Sequence, residues 1–568
     1  MVRPFFRRLG REWLSEGAGG KFPLIVLAAF VLYRLIHGFV IFDAMAVPEF
    51  DFFCFRSVAD KFAHFELPSF YKWAPGYPLL MALWPFRFGG ADRLLQGGEV
   101  VNLVASVGML LFLYRWARGI LGPAAVLAVV ITGSYKVFVE HSAQPLCDMA
   151  LVFFIVAAVS GAGKGKCWPY AAAGAAALTR YEGIALLVLI FLADVRRRRP
   201  RLKFLSYALV AALPITAWLA LSVLHSQVVN PYVEQMLASK PVGAGFLETV
   251  ARVMFPAWAP HLGFLAVFFA AVALLGAVIL AWRGGAGARV YVAFAVFYIA
   301  VHMLFPFSFG KYVLPLIPLI SVSLVVGGKQ IMAFCGRRLK RASWPGVVGA
   351  AAAVLWLVGV SASFVTRRKE PALFVWGAGL PLMAFVTAAI WAAFFPPRVS
   401  GIEKRRRLAG LVFPLIFLSL FVNGQVKLWA ANWYHFRWRG ASLRAAGEAL
   451  REFVTPNETV CVVWPDIVSF YAYPASFKAI VPARLKAPDE RRFPAVAARK
   501  GVRYVCYDSI SGNDPFGYFA LTAGVPLLKP FATGEDVPPY ECYNTVVTPG
   551  EYVHVYRLRA DVGKGRKR

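Results

Sequence analysis

The sequence predicts a polytopic α-helical membrane protein of about 11 full spans plus one re-entrant helical hairpin, closed by a small carboxyl-terminal α/β domain. Three observations carry this expectation. Apolar runs of about 20 residues recur over most of the chain, the length that crosses a hydrocarbon core. Basic residues gather in short clusters between those runs, as in "VRRRRPRLK", "CGRRLKR" and "IEKRRR", the pattern of cytoplasmic anchors. After about residue 430, polar segments of shorter period replace the apolar runs. Composition agrees: a 568-residue chain that is 59% hydrophobic and 16% charged, with mean hydropathy +0.60, has too little polar surface for a soluble domain. The net charge of +31 would suit nucleic-acid binding, but its confinement to clusters between apolar runs argues against that class. The seven cysteines show no C-x-x-C or metal-ligand spacing, so neither a disulfide framework nor a zinc site is expected.

Taken in order, the basic amino end "MVRPFFRRLGREW" precedes an apolar run at 22–42, longer than the about 7 to 15 residues of a signal-peptide core. It reads as a retained span entering from the cytoplasm. Further spans fall near 97–114, 120–136, 147–162, 204–224, 260–282, 290–307, 312–327, 345–365, 373–395 and 410–430. Residues 167–195, read as one helix, would carry "RRRRPR" to the outside, against the positive-inside bias. Two half-helices folding back at "LTRYEG" keep both flanks in the cytoplasm, and each half, about a dozen residues, is too short to span alone. This count gives an integral membrane protein, of the plasma or inner membrane if prokaryotic, with its amino end cytoplasmic and its carboxyl end extracytoplasmic. "TRRKE" then falls outside, which is accepted because the opposite arrangement would export the larger cluster "IEKRRR".

The chain therefore divides into a transmembrane domain, 1–430, and an extracytoplasmic α/β domain, 431–568. In the latter "ETVCVVW", "FKAIVP", "VRYVCYD" and "YVHVYRLR" read as strands, and "SLRAAGEALREF" and "DERRFPAVAARK" as helices. It has no glycine-rich phosphate loop and no nucleophile elbow, so it is expected to recognise a partner or cover a cavity, not to catalyse.

The first outer loop, about 43–90, is unusually long beside otherwise short connections, and loops of this kind tend to be functional. It contains "VPEFDFFCFRSVADKF", in which Phe52, Phe55, Ala59, Phe62 and Phe65 recur every three or four residues, as on a helix lying along the membrane interface. Glu49 and Asp51 stand at the start of that helix. Two readings of them remain at this point, helix-capping carboxylates or chemically active ones.

An acidic residue after the first span, a helix ending in "VADKF", and then "PGYPLLMAL" resemble the first extracytoplasmic loop of the GT-C superfamily of membrane glycosyltransferases. The likeness is to the branch holding protein O-mannosyltransferases and lipid A aminoarabinose transferases. "HSAQPLCDMALVFF" is similar to that family's second acidic site, "ALTRYEGIALL" to its R-x-E-G segment, and "FSFGKYVLPLIPLI" to its R-Y-L-L-P-L-L-P segment. The motifs cover 22–327. The resemblance implies a polyprenyl-phosphate-linked sugar donor, a lipid, glycan or protein acceptor, and transfer on the extracytoplasmic side.

Carried over by position, Asp51 matches the family's catalytic carboxylate and Asp148 its second acidic residue, with Glu140 near it. The chain departs from the pattern twice. Glu49-Phe50-Asp51 replaces an adjacent or closely spaced acidic pair, leaving open which carboxylate acts. Lys311 replaces the arginine before the tyrosine, Tyr312, exchanging a bidentate fork for a point charge. The chemistry itself asks for one base, because the leaving lipid phosphate is already a stable anion and needs no protonating acid. The expected assignment is Asp51 as base, Glu49 and Asp148 supporting the acceptor or a divalent cation, and Lys311, Tyr312 and Arg180 at the donor phosphate. Lys311 has a second reading as a snorkelling lysine, and Arg180 as the partner of Glu182. A multi-span transporter or lipid flippase is the competing class, as is a GT-C-like scaffold without activity. Transporters commonly carry repeated broken helices, and this sequence has one broken hairpin and no repeat.

Overall fold

The structure, a computed structural model, describes residues 18–43, 51–68, 73–86, 92–196, 201–226, 243, 245–254, 263–305, 309–338, 441–472, 477–509, 525–548 and 551–559. The chain forms two compact units, one of Met1–Phe42 and Phe55–Ala431, the other of Asp43–Cys54 and Asn432–Arg568.

The first unit is helical. Its described helices are α1 (Ala18–Asp43), α2 (Asp51–Ala63, whose first turn belongs to the second unit), α3 (Gly76–Ala82) and α4 (Arg93–Leu121). There follow α5 (Ala125–Ser134), α6 (Lys136–Ala143), α7 (Cys147–Gly161), α8 (Trp168–Thr179), α9 (Ile184–Val195) and α10 (Arg201–Ser226). The last described are α11 (Gly245–Met254), α12 (Gly263–Arg283), α13 (Ala286–Met303) and α14 (Ile317–Arg338). Among the described residues, four helical runs are long and apolar enough to cross a bilayer: Arg93–Ser134, Leu202–Leu224, Ala286–Met303 and Gly310–Ile331. The first of these is two legs: the chain turns at Gly122 between α4 and α5 and brings Gly133 back against Leu110. Shorter apolar helices lie at Pro23–Ile36 and Val267–Arg283. The expected spans near 345–365, 373–395 and 410–430 lie outside the described residues.

Burial sorts these helices. Most of the apolar stretch within Gly310–Ile331 is buried, whereas little of that within Leu202–Leu224 is, and Leu209, Val210, Leu213 and Leu224 stand open. An apolar face of that size is what a helix presents to lipid, where every backbone group must already be satisfied internally. The start of α4 is fixed differently. Asp92 caps it, accepting from the amides of Leu94 and Leu95 at 3.0 and 2.9 Å, and also accepts from Arg56 of α2 at 2.8 Å.

The segment around "LTRYEG" folds back on itself. α8 ends at Arg180, which is extended (φ −151°, ψ 140°), and a 3₁₀ turn, Tyr181–Gly183, reverses the chain into α9. The open ends of the two arms meet, since the Tyr170 hydroxyl at the head of α8 donates to Asp194 at the foot of α9, 3.0 Å away. At the closed end a Cβ on Gly183 would stand 2.4 Å from the carbonyl carbon of Ala176, so the arms approach this closely only with glycine there.

In the second unit a five-stranded sheet has the order β2-β1-β3-β5-β4, from β1 (Thr459–Cys461), β2 (Lys478–Ile480), β3 (Val502–Asp508), β4 (Tyr540–Thr548) and β5 (Glu551–Leu558). β1 runs parallel to β2 and β3, and β5 is antiparallel to β3 and β4. Helices α15 (Ala441–Phe453), α16 (Pro465–Ala472) and α17 (Phe493–Arg499) complete it. Its core gathers Cys461, Phe493, Val505, Phe531, Tyr540 and Tyr556. The two tyrosines bury their rings without orphaning their hydroxyls, donating to the Val502 and Phe531 carbonyls at 2.8 Å. Burial pushes the Cys461 and Cys506 thiols up, which makes both inert as nucleophiles. β4 and α16 are additions to the strands and helices expected from sequence.

The hairpin geometry yields a direct expectation. Gly183→Ala forces the arms apart and costs about 1 to 3 kcal/mol, the usual range for overpacking. Thermal unfolding of the purified protein in detergent measures it, and an unchanged midpoint would show that the tip is not tightly closed.

Candidate active site

Three of the expected residues come together inside the helical unit. The segments Lys136–Ser142 and Cys147–Gly161 are bent by 109° to each other, with extended backbone at Gln144 and Leu146 between them. That bend starts α7 abruptly and places Asp148 in its first turn, where the helix dipole favours a carboxylate. Arg180 arrives from the tip of the hairpin, on the extended residue that separates α8 from the 3₁₀ turn. Its guanidinium donates through Nη1 to Asp148 Oδ1 at 2.7 Å and through Nη2 to Glu182 Oε1 at 3.1 Å. Tyr312 comes from a 3₁₀ segment, Gly310–Leu316, ahead of α14, and its ring centroid lies 5.0 Å from the Arg180 guanidinium carbon.

All of this is out of water: the side chains of Asp148, Glu182 and Arg180 are 3%, 7% and 11% exposed. Two buried carboxylates facing one guanidinium are stable only because the planar fork of arginine serves both at once. The alternatives left open for Arg180 thus resolve structurally in one respect, for it does pair with Glu182, and with Asp148 as well.

The structure adds a residue that the sequence reading passed over. His302, at the end of α13, is fully buried, stacks on Phe305 with centroids 4.9 Å apart, and lies 5.0 Å from the Tyr312 ring. Its Nδ1 faces the Tyr298 carbonyl at 3.0 Å, and since a carbonyl only accepts, Nδ1 carries the hydrogen. Nε2 is left toward Glu182 Oε1, 3.7 Å away. Neither Nε2 nor the Tyr298 hydroxyl has a hydrogen-bond partner among the described residues. A single histidine inside an apolar run, "IAVHMLF", was the only sequence signal, and it does not distinguish a core histidine from one beside a charge cluster.

The other expected residues are placed as follows. Lys311 is half-buried beside this group in sequence, its Nζ 5.6 Å from the Phe309 ring centroid. Glu140 sits on α6 and pairs with Lys136 at 3.1 Å. Asp51 is the half-buried first residue of α2 and belongs to the second unit. Glu49 lies outside the described residues. The fit to a divalent cation is poor at Asp148, whose charge faces Arg180, and among the described residues no group of three or more His, Cys, Asp and Glu could hold a metal ion.

ArnT from Cupriavidus metallidurans bound to undecaprenyl phosphate matches over 95% of this chain and 98% of that chain, with a TM-score of 0.55 and 14% sequence identity. The chain has the fold of this ArnT. The apo state of the same ArnT matches over 94% and 97%, with a TM-score of 0.54 and 15% identity. No family model and no curated protein sequence matches. A likeness at this identity concerns the fold, and it extends over nearly the full length of both chains.

Breaking the charge cluster should be costly. Arg180→Met leaves Asp148 and Glu182 buried together without their cation, an expected loss of about 3 to 5 kcal/mol. Arg180→Lys should lose less, because one ammonium keeps the charge but cannot fork between two carboxylates. Unfolding midpoints of the two variants in detergent check this; equal stability of Arg180→Met and the wild type would contradict it.

Proposed function

We propose that this protein is a membrane glycosyltransferase that moves a sugar from a polyprenyl-phosphate-linked donor to a hydroxyl acceptor at the extracytoplasmic face, with inversion. The observation that carries the reading is the near full-length fold likeness to a protein crystallised with undecaprenyl phosphate. The buried acid and arginine cluster supports it, because ionised groups among apolar helices are expensive and are kept where they serve a site.

In the proposed reaction the acceptor oxygen forms a bond to the anomeric carbon as the bond from that carbon to the phosphate oxygen breaks. The acceptor proton passes to the carboxylate of Asp51, and the electron pair of the broken bond leaves on the lipid phosphate. That phosphate is a stable anion, so one base suffices and no second carboxylic acid is needed. Lys311, Tyr312 and Arg180 are assigned to the donor phosphate. A lysine at that position stabilises charge developing on the leaving oxygen, and Arg180 would have to share its fork with a newcomer, since Asp148 and Glu182 already hold it. Asp148 and Glu140 are assigned to the acceptor side. Glu49 is the alternative base.

Asp51→Asn should lower sugar transfer from a polyprenyl-phosphate donor by about 10²- to 10⁴-fold, the usual contribution of a general base. Folding and retention of polyprenyl phosphate, read by melting and by mass spectrometry of the purified protein, should be unchanged. Wild-type turnover in Asp51→Asn with loss in Glu49→Gln would move the base to Glu49; wild-type turnover in both would end the assignment.

A further inference from the structure

The first turn of α2 belongs to the same compact unit as the carboxyl-terminal domain, and aromatic rings pack between them. Phe52 lies on the helical stripe with Phe55, Ala59 and Phe62, but Phe53 does not, being rotated by about 100° from it. Both are nonetheless buried, at 0% and 4% exposure. The ring that meets them both is Phe470 of α16, edge-on at 5.5 Å to Phe53 and 6.4 Å to Phe52.

Phe470 is itself firmly held. A Cβ on Gly447 of α15 would stand 2.6 Å from the Val468 carbonyl oxygen, so α15 and α16 lie nearly backbone to backbone. The Arg444 guanidinium covers the Tyr471 ring at 5.5 Å. α15 is in turn tied to the sheet, where Glu551 of β5 accepts from the Ser442 amide and hydroxyl at 3.2 and 3.0 Å. The links run from β5 to α15, from α15 to α16, and from Phe470 to the two phenylalanines directly after Asp51.

We propose that the carboxyl-terminal domain positions Asp51, with Phe470 as the positioning residue. A helix terminus frays when nothing packs on it, and a base that drifts by about 1 Å from its acceptor loses on the order of 10²-fold in rate. Packing Phe52 and Phe53 against a helix anchored to a sheet holds that first turn in place. The domain thereby acts on the reaction without touching the reacting atoms. This inference rests on the reading of Asp51 as the base.

The test uses the full-length protein in detergent or nanodiscs, with Phe470→Ala, Phe470→Leu and Asp51→Asn prepared in parallel. Three quantities are read: amide hydrogen exchange at 51–54, retention of polyprenyl phosphate, and sugar transfer. Phe470→Ala should speed exchange at 51–54 and lower kcat by roughly 10- to 100-fold, the cost of misplacing a base, with donor KM and retained lipid unchanged. Phe470→Leu, which keeps most of the volume, should restore both. Exchange in β5 reports whether the domain remains folded, and if Phe470→Ala raises it, the comparison of Phe470→Leu with wild type decides. Wild-type exchange at 51–54 in Phe470→Ala overturns the anchoring; faster exchange with wild-type kcat overturns the positioning role. Wild-type transfer by Asp51→Asn instead removes the base assignment, and with it the catalytic consequence, while the exchange measurement still decides whether the domain holds the turn.

Discussion

One guanidinium held between two buried carboxylates constrains the helical unit more than any other contact described. Asp148 and Glu182 are both shielded from water, so each needs a cation at hydrogen-bond distance, and Arg180 supplies both with a single planar group. Four elements have to arrive correctly for this to happen. The start of α7 delivers Asp148, the hairpin tip delivers Arg180 and Glu182, the 3₁₀ segment before α14 covers the guanidinium with Tyr312, and α13 closes the group with His302. Displacing α7 or the hairpin tip would leave a bare charge among apolar helices.

That constraint explains why the irregular backbone lies where it does. Extended residues at Gln144, Leu146 and Arg180 and the 3₁₀ segments interrupt helices that would otherwise run on. Non-helical backbone at membrane depth is tolerated only when buried in protein or lining a cavity. Here it carries Arg180, Glu182 and Tyr312, while Gly183 at the tip lets the two arms of the hairpin close on Ala176 and Gly174 lets α8 approach α10 at Ala211. The outward faces of α10 and α12 are by contrast plain apolar surface, with Leu213, Leu224, Leu274 and Trp282 exposed, and they carry no such burden.

The second unit follows the rules of a soluble α/β domain. It has a mixed sheet, phenol hydroxyls satisfied inside the core, and thiols too deeply buried to react. Its incorporation of the first turn of α2 is the departure, because a short piece from near the amino end completes a domain built from the last quarter of the chain. Contacts between residues so far apart in sequence are set by aromatic shape, not by any local motif.

What hydropathy and charge dictate was legible along the chain. The apolar runs fixed most of the described helices, and the positive-inside bias, acting on "RRRRPR", required residues 167–195 to fold back, as the Tyr170 to Asp194 hydrogen bond shows they do. The motifs also singled out Asp148, Arg180 and Tyr312, though for different roles, and raised the pairing of Arg180 with Glu182. The approach of Asp148 to Arg180 and of His302 to Glu182 was not legible, because which buried acid meets which base depends on how separate helices stack, and a lone histidine in an apolar run carries no pattern. Strand β4 and helix α16 escaped for the related reason that "YECYNTVVT" and "PDIVSFYA" have no clear period. The packing of Phe470 onto Phe52 and Phe53 was equally invisible, for a helical stripe shows which face is greasy but not what covers it. Periodicity is a local property that the chain writes along itself, whereas pairing across hundreds of residues exists only once the tertiary structure has brought the partners within reach.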